Sequence, residues 1–311
     1  MLDIVAKIIP IISLIGIGWH FRYKELIHES TIDEIKSLVV NVSLASVLFI
    51  TFLNMELKDE YFLVFFMIFI LLCILFFIGL LINKIKPMNH ALIPFIITGC
   101  SFGLLGIPLF GTVFGIENIE KLSILGVGHE FFIWIIFYPF MGFRFKNERF
   151  SIRKIVEIIK SPFIISIFLG IIFNVIGLGI KIQNNLITSG FYTTLEYLAS
   201  LATPLILIII GYGLKFDVKY IKQGMKFVAA RIIIMLIVGY IFKYLVIDHI
   251  IVSDKIFDYA YFTFLILPPP LSLSVFVGVY STKEYEELIN NTVVLNTIVS
   301  IFIFIVFAFM I

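Results

Sequence analysis

Charge is scarce in this chain. Asp, Glu, Lys and Arg make up 14% of its 311 residues, where a soluble domain carries about 25%. That excludes a large water-facing surface, and no nucleic-acid partner is expected. Cysteine is nearly missing too. Cys73 and Cys100 both lie in apolar runs, which argues against a disulfide framework and for small apolar fillers. Metal-ligand spacing is missing. His129-Glu130-Phe131-Phe132-Ile133 begins like a zinc-protease helix, but Ile133 stands where the second histidine is required. No aspartate sits in mid-span, as a paired-aspartate intramembrane protease would need. Hence no enzyme, no metal site and no cofactor are expected. The N-terminus lacks a basic leader and a small-residue cleavage site, so it reads as a first span rather than a signal peptide.

What is present is apolar. Hydrophobic residues make up 61% of the chain, in runs of about 20, the length that crosses a bilayer core. The fold class expected is an all-α polytopic membrane protein. Ten transmembrane helices are read at 3–20, 37–55, 61–83, 91–115, 122–142, 162–180, 192–214, 226–247, 258–280 and 288–311. Basic residues set the orientation. The odd loops hold three, two, six, four and one Lys or Arg, 16 together, and the four even loops hold one each. Lys7, Arg231 and Lys243 fall near span ends, where long side chains snorkel. The split puts both termini outside a plasma membrane. The basic loop 143–161 is then cytoplasmic, where it serves as a topology anchor.

Five spans per half force the halves, 1–142 and 162–311, to insert in opposite senses, which makes an inverted repeat. The fourth span of each half is interrupted. Thr98 to Pro108 holds three glycines, a serine and a proline, and Leu267-Pro268-Pro269-Pro270-Leu271-Ser272 interrupts the ninth span. Proline removes a backbone donor and glycine weakens a helix. In hydrocarbon such breaks persist only inside protein or beside a water-filled cavity. Each break starts a half-helix whose amides and positive dipole end suit a carboxylate. No basic residue is read near either break. The substrate contacts expected are Ser101, Gly103, Gly106 and Pro108 on one side, and Pro268, Pro269, Pro270, Ser272 and Ser274 on the other. Asn41 is a further candidate.

These motifs resemble a known family. Gly16-Ile17-Gly18, Leu38-Val39-Val40-Asn41-Val42-Ser43-Leu44, Gly103-Leu104-Leu105-Gly106-Ile107-Pro108-Leu109 and Thr203-Pro204-Leu205 before Gly211-Tyr212-Gly213-Leu214 are similar to the auxin efflux carriers. The likeness is to compact bacterial members that include malonate transporters, related to bile acid–sodium symporter-type folds. Ser101 stands where the family often has Asn, and Leu44-Ala45-Ser46 where it often has Leu-Pro-Ala. The resemblance implies a scaffold built from helices one, two, six and seven, a moving part, crossing helices four and nine, and an anionic substrate at the crossing. The function expected is an efflux-type secondary permease for a small organic anion such as a carboxylate. An anion channel and a sodium-coupled organic anion symporter are the alternatives. The other partners expected are the lipid bilayer and, in a homodimer, a second copy.

His129 and Glu130 are ionisable residues about 10–12 Å below the outer surface, at about 1.5 Å per helical residue. Burying a charge there is costly, and histidine titrates near neutrality. They are candidates for coupling to H⁺, with a packed, hydrogen-bonded pair as the plainer reading. Na⁺ is the other coupling ion considered. Asn296 reads as an interhelical hydrogen-bonding residue, and Glu196 as solvated near the outer end.

Overall fold

The computed structural model spans residues 1–311 and describes all of them except 1, 56–58, 87, 147–159, 161, 180–181, 183–185, 215–217, 253 and 271–272. The described residues are helices and their connections, with no strand among them. Among the described residues, eight helical segments are long and apolar enough to cross a membrane. Ile164–Val175 is a shorter apolar helix. The expected ninth span consists of two short helices, Lys255–Ile266 and Leu273–Tyr280. The chain has the helical, multi-pass build its composition demands. Most of the basic loop 143–161 lies outside the described residues.

Several helices begin or end where local chemistry sets the boundary. Asp254 accepts the amide of Phe257 at 2.7 Å and caps Lys255–Ile266. Thr282 does the same for Lys283–Met310 through the amide of Tyr285. Four segments hold a wider π-turn: Val39–Ser43, Phe102–Gly106, Ile133–Phe137 and Lys243–Ile247. Such turns recur at functional sites.

The chain forms two compact units, and each draws on both sequence halves. The first comprises residues 1–58, 103–123 and 152–214. It gathers the expected first, second, sixth and seventh spans with the piece that follows the first break. Leu2–Tyr23 packs along Ala202–Gly213 with its backbone almost touching. A Cβ on Gly18 would meet the backbone of Ile208 and Tyr212, and one on Gly211 would meet the carbonyl of Ile15. Small residues at such crossings let membrane helices approach closely. Arg22 Nη1 donates to Tyr212 O at 2.8 Å, and the Tyr212 hydroxyl donates to Ile27 O at 3.0 Å. Pro162–Val175 packs on Leu44–Asn54. Asn174 Nδ2 there donates to Phe52 O and Met55 O at 3.0 and 2.7 Å, serving carbonyls that a helix end leaves unpaired.

The second unit comprises residues 59–102, 124–151 and 215–311. Its core is aromatic. Phe76, Phe95, Phe132, Phe137 and Phe140 meet largely edge to face, the arrangement that aligns ring edges with ring faces. Val218–Phe242 packs on Lys283–Met310, Ile93–Ile97 and Lys255–Ile266, so it runs beside both interrupted segments.

Candidate functional site: two helix breaks and a buried arginine

Both expected breaks are present. Ile93–Ile97 ends at Thr98, whose backbone is extended, and regular helix does not resume until the π-turn at Phe102. Gly99 has φ +70°, and a Cβ there would press on Ile133 and Pro270. Only glycine takes that conformation at no steric cost. Lys255–Ile266 ends at Leu267, whose φ −58° and ψ 144° are close to polyproline II, as a residue before proline prefers. Pro268, Pro269 and Pro270 are buried. The two breaks lie against one another within the second unit. The amide of Ser101 donates to Pro268 O at 2.8 Å.

Arg231 was expected at a span end, and no basic residue near a break. The structure corrects both. The helix begins at Val218 rather than at 226, which puts Arg231 about four turns inside it. Its side chain is 1% exposed. Nη1 donates to Ile96 O at 2.5 Å and Thr98 O at 3.4 Å. Nη2 donates to Gly99 O at 2.6 Å and Leu267 O at 2.8 Å. Nε also reaches Leu267 O, at 3.3 Å. Helix ends leave carbonyls unpaired and partly negative, and the five N–H groups of guanidinium suit several at once. One signal was available in sequence: Arg231 is the only charged residue between Lys226 and Lys243. Of the other two expected at span ends, Lys7 is exposed and Lys243 is buried. Lys7 donates to Val113 O, and Lys243 pairs with Asp248 and Asp258.

The amides at the breaks were expected to suit a carboxylate, but three of them are already engaged within the protein. Besides Ser101, Cys100 N–H donates to His129 Nε2 at 2.7 Å and Leu273 N–H to Pro270 O at 2.8 Å. Buried backbone donors rarely go without partners. The Ser101 hydroxyl is different. It is buried, at 4% exposure, and has no hydrogen-bond partner among the described residues.

His129 is buried and forms a chain with its neighbours. Nε2 accepts from Cys100, so it keeps its lone pair, and the network assigns the ring proton to Nδ1. Nδ1 lies 3.3 Å from Glu130 Oε1. Glu130 Oε2 accepts from Trp134 Nε1 at 3.2 Å. A second proton on the ring would cost the bond to Cys100. The sequence showed the pair, but not the amide it serves, which is 29 residues away.

The remaining candidates divide between the units. Ser101, Pro268, Pro269, Pro270 and the half-buried Ser274 belong to the second. Gly103, Gly106, Pro108 and Asn41 belong to the first. Ser272 lies outside the described residues. In the first unit, Pro108 O accepts from Thr112 Oγ1 at 2.7 Å. A cavity of about 430 Å³ lies against this half-helix, lined in part by Thr51, Ile107, Thr112, Glu196 and Thr203. Asn41 is exposed in the π-turn Val39–Ser43 and donates to Ser37 O one turn back at 2.9 Å. Asn296 is fully buried and bonds Ser300, one turn on in its own helix. The interhelical bond expected of it is made instead by Ser300, whose hydroxyl donates to Ile266 O at 2.6 Å.

A family model described as "Membrane transport protein" matches residues 3–308. The match includes both breaks and Arg231. No curated protein matches the chain.

Proposed function

The chain belongs to the membrane transport protein family, and from that premise we propose that it is a secondary carrier moving a small organic anion, such as a carboxylate, by alternating access. Ten spans in two inverted halves, 1–142 and 162–311, frame this reading. Both termini lie outside the plasma membrane, and the 143–161 loop faces the cytoplasm. The static part is drawn from the first, second, sixth and seventh spans, as the family resemblance implies.

The observation that carries the proposal is the adjoining pair of breaks, with the lone Ser101 hydroxyl buried beside them. A buried hydroxyl without a partner is costly. It gains one when a carboxylate arrives, through a charge-assisted bond. Substrate counterflow of labelled mono- and dicarboxylates in proteoliposomes tests the reading, since a carrier exchanges substrate and a channel shows unitary currents. Ser101→Ala should raise the KM for the transported carboxylate by about tenfold, the worth of one hydrogen bond to a charged group. Unchanged kinetics in both Ser101→Ala and Pro269→Ala would remove the site from the breaks.

Proton coupling through His129 belongs to the same proposal. Protonating Nε2 releases the Cys100 amide, so the ionisation of His129 is tied to the geometry of the first break. His129→Gln supplies an acceptor and does not titrate. It should stay folded and give counterflow that no longer responds to pH between about 5 and 8, the range in which histidine switches. A wild-type pH profile in that variant would exclude coupling at this residue.

A further inference from the structure

We propose that Arg231 supplies the fixed positive charge that makes the site at the breaks select an anion. The inference rests on the carrier reading above and names the residue that sets its charge preference. All five guanidinium N–H groups are engaged by the carbonyls of Ile96, Thr98, Gly99 and Leu267. Those partners are dipoles and carry no net charge. No carboxylate lies within ion-pair distance of Arg231 among the described residues. A full charge therefore stands in the interior of the second unit with its hydrogen bonds met by neutral dipoles alone. Buried charges are ordinarily paired, and an arginine beside two helix breaks without a counter-ion lacks the usual half of that pair.

The connectivity says where its field is felt. Gly99 is two residues from Ser101, and Leu267 precedes Pro268, whose carbonyl accepts from Ser101. The nearest unpartnered polar atom on this route is the Ser101 hydroxyl. Arg231 has no N–H left to touch a ligand, so it acts on one through space. At an effective dielectric of about 20, one unit charge within several ångströms changes the affinity for an anion by about tenfold or more. The same side chain positions the site by tying both breaks together. Charge and clasp are separable, because lysine keeps the first and loses the fork geometry.

The test is counterflow of labelled malonate by wild type, Arg231→Lys and Arg231→Gln, with the neutral diamide malonamide as competitor. Arg231→Gln should raise the malonate KM about tenfold or more and shrink the preference for malonate over malonamide. Arg231→Lys should keep KM within about threefold of wild type while its maximal rate falls. A KM raised equally in both variants, or in neither, overturns the assignment of the charge. Should Arg231→Gln fail to fold, Arg231→Lys and the wild-type competition decide. Malonamide competing as well as malonate overturns the inference, and competition at least tenfold weaker supports it. If wild type exchanges acetate but not malonate, the same comparison is made with acetate and acetamide. If it exchanges neither, the carrier reading falls and this inference with it. Normal exchange with an unaltered Arg231→Gln strikes the arginine alone.

Discussion

Arg231→Leu should cost the protein most of its stability. Leucine fills much of the volume but donates nothing, so the carbonyls of Ile96, Thr98, Gly99 and Leu267 lose their partner together. An unsatisfied buried polar group costs about 1–3 kcal/mol, and four of them approach the whole stability of a typical domain, about 5–15 kcal/mol. An opposing effect exists, because removing a buried charge removes its desolvation penalty. The carbonyls decide the balance, since backbone cannot be mutated away and leucine offers no donor in place of the one lost. Thermal melting of the purified protein in detergent measures it. The expected result is a fall of well over 10 °C or no folded yield, with Arg231→Lys intermediate. Melting of Arg231→Leu within a few degrees of wild type would mean that the guanidinium contacts contribute little.

Gly211→Ala is expected to be the next most damaging, from the addition of one methyl group. The new Cβ would fall on the carbonyl of Ile15, and a backbone atom cannot rotate aside as a side chain can. The helices Leu2–Tyr23 and Ala202–Gly213 must separate, which weakens the Arg22 to Tyr212 bond of 2.8 Å. Overpacking costs about 1–3 kcal/mol where neighbours can adjust, and the upper end applies here. Gly18→Ala meets the same obstacle from the other side. Once one alanine has parted the helices, the second should add little, so the double variant should be clearly less destabilised than the sum of the singles. Full additivity in melting measurements would show that the two glycines do not share one crossing.

How far the sequence was legible depended on whether a feature was local. The breaks expected within Thr98 to Pro108 and Leu267 to Ser272 were readable because glycine, proline and serine act through their own backbone, but the first is confined to 98–101, and Gly103, Gly106 and Pro108 lie in helical turns beyond it. Helix boundaries were less so. The expected span 192–214 is two helices, Leu186–Ser200 and Ala202–Gly213, and the helix carrying Arg231 starts eight residues before its expected start at 226. That shift turned an interior arginine into an apparent end residue. Its partners are main-chain carbonyls, which any sequence supplies and none advertises. The partner of His129 is likewise a backbone amide, brought near by tertiary packing. The chemistry of the side chains was visible, and the backbone groups they serve were not.

The pairing of Leu2–Tyr23 with Ala202–Gly213 bears on how this protein is made. Its arginine–tyrosine contact joins residues 190 apart. During synthesis Leu2–Tyr23 is therefore made long before Ala202–Gly213, and must persist in the membrane without that partner, as two-stage assembly allows. Closure of that pair waits until Ala202–Gly213 has left the ribosome. Truncations that stop short of Ala202 should leave Leu2–Tyr23 inserted without its main packing partner, a substrate for quality-control proteases.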